Sequence, residues 1–276
     1  MSSSKCLNCG TEFHNHEKFC PQCGQKADTH RLTLGHFFHE FFHAFTHADK
    51  GIFHLLKDLI VKPGLVAREY IEGKRKKYFN PFTFFLIMMA IFVISNKMVR
   101  EKPERKVPES VLRIPNPEVR EKIIGMTARG NQVQKFTHKN GNIMAMIAIP
   151  VVAFVFWLCY IRRRYNYAEH LTANLLFTAI ANIFFTLIIF PLQRLNEGSP
   201  YSQLFVFLGL ILQVAYYTWA YTGLFQIKSF GGVTKAIGVS VLSIIVWTFF
   251  SMTLMAIYIY QSRDFYQFFV HLFSGR

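Results

Sequence analysis

Residues 142–161 read NIMAMIAIPVVAFVFWLCYI and run directly into Arg162-Arg163-Arg164. A helix rises 1.5 Å per residue, so these twenty uncharged residues extend about 30 Å, the thickness of a bilayer's hydrocarbon core. Pro150 inside the run is tolerated in such a helix, because neighbouring helices re-satisfy the backbone group it frees. Three arginines at one end are the flank that keeps a span's end on the cytoplasmic side. This stretch makes the chain an integral membrane protein, and the remaining sequence is read around it.

Four more apolar blocks follow the same logic, at about 79–96, 171–193, 201–226 and 236–260. The expected fold is all-α: about five transmembrane helices over residues 78–276, preceded by interfacial amphipathic helices over 28–77 and a small ribbon over 1–27. Composition agrees: 51% of residues are apolar, 30 are Phe, and only 17% are charged. A soluble domain carries about a quarter charged residues. The net charge of +15 does not point to nucleic acid here, because much of it flanks apolar blocks, where Lys and Arg set orientation and meet anionic lipid. Lys74 to Lys77, Arg162 to Arg164, and Lys228 with Lys235 all fall on one side of five spans. That side is expected to be cytoplasmic and to carry the N-terminus, leaving the C-terminus outside. The loop 97–141, with five Glu among its basic residues and Pro103, Pro108, Pro115 and Pro117, is expected outside and partly irregular.

The N-terminal segment carries two knuckles, Cys6-x-x-Cys9 and Cys20-x-x-Cys23, each followed by a glycine (Gly10 and Gly24). Four thiolates complete a tetrahedral zinc shell, so one structural zinc per chain is expected on Cys6, Cys9, Cys20 and Cys23. So short a segment has no core of its own, and metal binding supplies its folding energy. With no apolar leader ahead of them, these cysteines fit a reducing compartment where thiols bind metal.

Three groups of residues carry a family resemblance. They are Phe19-Cys20-Pro21-Gln22-Cys23-Gly24-Gln25; Pro63-Gly64 with Arg68-Glu69-Tyr70-Ile71 and Gly73-Lys74-Arg75-Lys76-Lys77-Tyr78-x-x-Pro81-Phe82; and Tyr167-x-Glu169-His170. Together they resemble an uncharacterised family of bacterial multi-pass membrane proteins known as a domain of unknown function. The resemblance is good from the ribbon through the first apolar block and loose beyond. It implies an inner-membrane protein with a cytoplasmic ribbon, and supplies no activity or catalytic residue.

One motif argues for chemistry. His39-Glu40-x-x-His43 lies in HFFHEFFHAFTHADKG, residues 36–51. His at i and i+4 can share a zinc, with Glu40 as general base. On a helix, however, Phe37, Phe38, Phe41, Phe42 and Phe45 occupy one face, and His36, His39, His43 and His47 the other. A solvated polar face opposite a membrane-facing Phe stripe explains the same pattern without metal. A catalytic zinc also needs a third protein ligand. His47 lies about 12 Å along the axis from His39, which leaves Asp49, His54, Glu169 or His170. Glu169 and His170 themselves read as an interfacial pair satisfied by Arg163 or Arg164, or as a proton or metal relay at a membrane entrance. Asn174, Asn182 and Gln213 read as hydrogen bonds between spans. No ionisable residue lies deep in a span and no phosphate-binding loop is present, which counts against a pump or ATPase. The expected function is therefore non-enzymatic: a membrane-anchored adaptor or sensor for a protein partner or lipid. A metal-dependent hydrolase using His39, Glu40 and His43 is the rival from another class, and a small-solute transporter or channel subunit is the third reading.

Overall fold

The computed structural model describes residues 5–13, 17–29, 31–35, 51–96, 104–196, 199, 201 and 204–261. His39, Glu40 and His43 lie outside the described residues, as does Asp49. The described chain is helical, with β-bridges only at Lys5–Glu12 and Phe19–Lys26 within the ribbon.

Helix α1 spans Ile52–Val61 and α2 spans Pro63–Ile71. Proline at the first position of α2 leaves no donor to be satisfied there, and Lys62 in an irregular conformation joins the two. Helix α3 spans Pro81–Asn96. A short turn α4, Glu109–Leu112, precedes α5, Pro117–Lys139. Among the described residues four helices are long and apolar enough to cross a membrane: α6 (Gly141–Cys159), α7 (Tyr167–Leu195), α8 (Leu204–Phe225) and α9 (Phe230–Tyr260). The fifth expected span, α3, has 16 residues. It ends at the edge of the described segment 51–96.

Helix α7 is interrupted by one π-turn at Phe185–Ile189, just ahead of Pro191. A proline inside a helix removes a donor and crowds the preceding turn, and a π-turn makes the room. α7 is the hub: α3, α6 and α8 pack along it. The core includes Phe84, Phe156, Phe177 and Tyr221, each fully buried. Tyr221 of α8 stacks on Phe156 of α6 with ring centroids 3.7 Å apart and nearly parallel planes.

Helices α1 and α2, read from sequence as lying at the membrane surface, pack against the bundle itself. Leu55, Leu59, Val66 and Ala67 are fully buried. Tyr216 of α8 donates its hydroxyl to the Leu59 carbonyl at 3.2 Å. The crossing of α2 and α8 is set by two glycines. A Cβ on Gly64 would fall 2.2 Å from the Leu224 amide nitrogen, and one on Gly223 would fall 3.2 Å from Gly64 Cα. Small residues at such crossings let backbones meet.

The segment expected to be a partly irregular loop, 97–141, is instead largely the 23-residue helix α5. Its start is well specified. The Asn116 side chain accepts from the amides of Glu118 and Val119, Pro117 opens the helix, and Glu118 sits in the first turn. His138 and Lys139 complement the dipole in the last turn. Its low apolar content hid it, because α5 makes few buried contacts and touches the bundle mainly at α9.

Candidate metal centre

The two knuckles are built alike. Cys6 N donates to Thr11 O at 2.7 Å and Gly10 N to Cys6 O at 2.8 Å; Cys20 N donates to Gln25 O at 2.7 Å and Gly24 N to Cys20 O at 2.8 Å. Gly10 and Gly24 take φ of +81° and +70°, a turn open to glycine at no steric cost. The repeat brings the four thiols face to face. All four Sγ lie within 4.8 Å of one another, with Cys6–Cys23 at 3.6 Å and Cys9–Cys20 at 3.5 Å. A disulfide needs about 2.05 Å, and the cysteines are free. A tetrahedron of ~2.3 Å metal–sulfur bonds has edges of about 3.8 Å, which these separations approach. The cluster can hold a metal ion. A hydrogen bond with the Thr11 hydroxyl draws the Cys9 thiol down to about 6, while desolvation pushes Cys6 up to about 11. Among the described residues, no other group of three or more such side chains could hold a metal.

The ribbon is fastened to the bundle by residues whose role was not legible in advance. Buried Gln25 grips both sides of one turn: its Nε2 donates to Gly73 O at 2.8 Å, and its Oε1 accepts from Lys76 N at 3.2 Å. Gly73 has φ of +109°, and a Cβ there would strike Leu7 of the first knuckle at 2.7 Å. Beneath that turn, Glu69 accepts from Lys74 at 2.8 Å, Lys77 at 2.7 Å and the Tyr78 hydroxyl at 2.5 Å. Burial pushes this carboxyl up, but the three hydrogen bonds outweigh it and hold Glu69 at about 2. Burial and the hydrogen bond to Glu69 together raise the Tyr78 phenol.

Glu169 and His170 are both buried, yet they face different partners. Glu169 completes a capping box with Asn166: its amide donates to Asn166 Oδ1 at 3.0 Å, and its Oε2 accepts from Asn166 N at 2.6 Å. The ion pair comes from Arg31, not from Arg163 or Arg164. Arg31 forks onto the carboxylate at 2.7 and 2.9 Å and also reaches the Arg164 carbonyl. Asn166 donates to Leu32 O at 2.9 Å, so the strand leaving the ribbon is stapled to the mouth of α7 at two points. Arg164 pairs with Glu72 at the end of α2.

His170 turns inward. Its Nδ1 lies 3.4 Å from the Tyr221 hydroxyl, which accepts from Asn174 Nδ2 at 2.6 Å. Asn174 thus makes the bond between spans expected of it. Among the described residues, His170 Nε2, Asn174 Oδ1 and the Tyr160 hydroxyl have no hydrogen-bond partner. Neither Glu169 nor His170 joins the cysteine cluster. His54 stacks beside Tyr78, with ring centroids 6.5 Å apart, and lies 3.4 Å from the Asp58 carboxylate.

Residues 49–93 match a family described as a protein of unknown function, DUF3667. The matched stretch covers α1, α2 and most of α3, and so includes Gly64, Glu69 and the turn gripped by Gln25. No curated protein and no solved structure matches the chain.

Proposed function

We propose that this chain is a non-enzymatic, membrane-anchored adaptor or sensor at the bacterial inner membrane. Its N-terminal ribbon holds one structural zinc and faces the cytoplasm, and a protein partner or anionic lipid reads that face. One observation carries the reading: the ribbon is joined to the membrane helices by a buried polar clamp, Gln25 on Gly73 and Lys76, and by the Arg31–Glu169 fork. Metal binding that folds the ribbon therefore also orders the α2–α3 turn and the mouth of α7. Orientation is supported by charge. Lys76, Arg164 and Lys235 meet Gln25, Glu72 and the Cys159 carbonyl at the ribbon's end of the bundle, and the positive-inside rule makes that end cytoplasmic.

The hydrolase reading needs a third ligand to complete His39 and His43. Glu169 is engaged through both oxygens, by Arg31 and by Asn166, and His170 is 1% exposed. Elemental analysis of the purified full chain separates the two readings. One zinc per chain, lost in Cys20→Ser/Cys23→Ser and kept in His39→Ala and His43→Ala, is the expected result. Two metals per chain, one lost with either histidine, overturns the adaptor reading in favour of hydrolysis. A full complement of zinc in the double cysteine variant removes the ribbon site itself.

A further inference from the structure

At the end of the bundle away from the ribbon, α5, α6 and α9 enclose an open groove of about 650 Å³, within the range of small-molecule sites. Its walls are ordered by depth. Ile147 of α6 lies six residues inside its helix and Trp247 of α9 thirteen inside its own, and both helices are long and apolar enough to cross a membrane. Met144, Leu254 and Phe136 follow. Gln132 and Tyr258 close the outer end, their side chains hydrogen-bonded at 2.9 Å. One turn further out, Arg129 of α5 donates its Nε to the Ile259 carbonyl at 2.6 Å, with its guanidinium nitrogens lying over Gly125. The sequence of surfaces is thus apolar wall, then neutral hydrogen-bonding pair, then cation.

The geometry points to a site for one anionic phospholipid: an acyl chain along Trp247 and Ile147, the ester region beside Gln132 and Tyr258, and the phosphate against Arg129. Lipid is the occupant because the apolar walls contributed by α6 and α9 belong to two candidate membrane spans. Anionic charge follows from Arg129, which sits where a headgroup would lie. A second groove shows what a plain lipid-facing furrow looks like. It measures about 550 Å³ between α8 and α9 and is lined by residues such as Leu210, Ile211, Val214 and Val241, with Thr218 alone polar among its described lining residues. The inference goes beyond the adaptor reading and stands whichever way the zinc analysis falls.

Trp247 is a built-in probe, because the chain has three tryptophans and Trp157→Phe with Trp219→Phe leaves it alone. The full chain is reconstituted in bilayers carrying phosphatidylglycerol or phosphatidylcholine brominated on the acyl chain, and quenching of Trp247 is titrated. The expected result is about a fivefold preference for the anionic lipid, the equivalent of about 1 kcal/mol for one cation near the surface. Arg129→Gln abolishes the preference and Arg129→Lys keeps it. Ser251→Phe, which fills the groove, lowers quenching by both lipids. Equal quenching by the two lipids, or a preference untouched by Arg129→Gln, overturns the site and leaves an ordinary annular furrow. Val241→Phe, in the second groove, leaves the preference unchanged; if it abolishes the preference, the assignment is also wrong.

Discussion

The two ends of the bundle are built on opposite plans. At the ribbon's end three polar side chains are held by several partners each: buried Gln25 on two backbone atoms, half-buried Glu69 under three donors, and buried Glu169 under Arg31 and Asn166. Backbones meet there without side chains between them, at Gly64 and Gly223. At the far end α5 contributes no buried residue, and a groove of about 650 Å³ stays open beneath it. A buried polar group left without its partner costs about 1–3 kcal/mol, so the paired end is fixed in one arrangement. The open end has little buried polar surface to enforce one. The contrast puts the closely fixed packing at the ribbon's end and the looser packing at the far end.

The largest test strikes the close crossing. Gly64→Ala places a Cβ 2.2 Å from the Leu224 amide nitrogen and 2.4 Å from the Ala220 carbonyl oxygen. Backbone atoms of a packed helix have no rotamer by which to yield. Overpacking ordinarily costs about 1–3 kcal/mol and at times more, and this substitution is expected at or above the top of that range. Thermal unfolding in detergent measures it. An equally small substitution at the other end, Gly130→Ala, meets nothing within 4 Å and is expected to leave the melting temperature unchanged or slightly raised. If the two variants melt alike, the two ends do not differ as described.

Much of this contrast was hidden from the sequence for a physical reason. Apolar blocks and Cys-x-x-Cys pairs are local signals, so the four long helices and the cysteine cluster were legible. What holds the ribbon's end is non-local. Arg31 and Glu169 lie 138 residues apart, Gln25 and Gly73 lie 48 apart, and nothing in either neighbourhood names the other. Glu169 was singled out as a site residue by its position beside arginines. The structure gives it a capping box, whose Asn-x-x-Glu spacing was present all along at Asn166 and Glu169. Helix α5 has no buried apolar face, and in the sequence only its Asn116-Pro117-Glu118 start signal marks it.

Acid sharpens the same comparison at intermediate cost. Glu69 is held at about 2 in the folded chain, against ~4.3 for an unperturbed glutamate. The folded pKa is depressed, so its contribution to stability is complete above about pH 5 and is lost as pH falls through the unfolded value towards 2. With Lys74 and Lys77 more than a third exposed, solvent screening reduces the effect to on the order of 2 kcal/mol. Glu69→Gln is expected to be less stable at pH 7 and to lose less on acidification than the parent chain. Unfolding measured across pH 2–5 reads this directly. Parallel curves for the two chains show that the three donors do not stabilise the carboxylate.

The smallest effect is expected where α5 begins. Asn116 accepts from the amides of Glu118 and Val119, and replacing such a cap with Ala costs about 1 kcal/mol. At the ribbon's end the comparable cap, Asn166, is tied to Leu32 and Glu169, so its loss spreads into the core. Among the described residues Asn116 bonds only to the first turn of its own helix, which has no buried residue. Asn116→Ala is therefore expected to speed amide exchange in the first turn of α5, about fivefold for 1 kcal/mol, while exchange in α7 and α8 stays unchanged. Faster exchange reaching Gln132 and Tyr258 shows that the start of α5 and the groove move as one unit. Acceleration confined to residues 117–121 shows that the groove is held from its other side, by Arg129 on the end of α9.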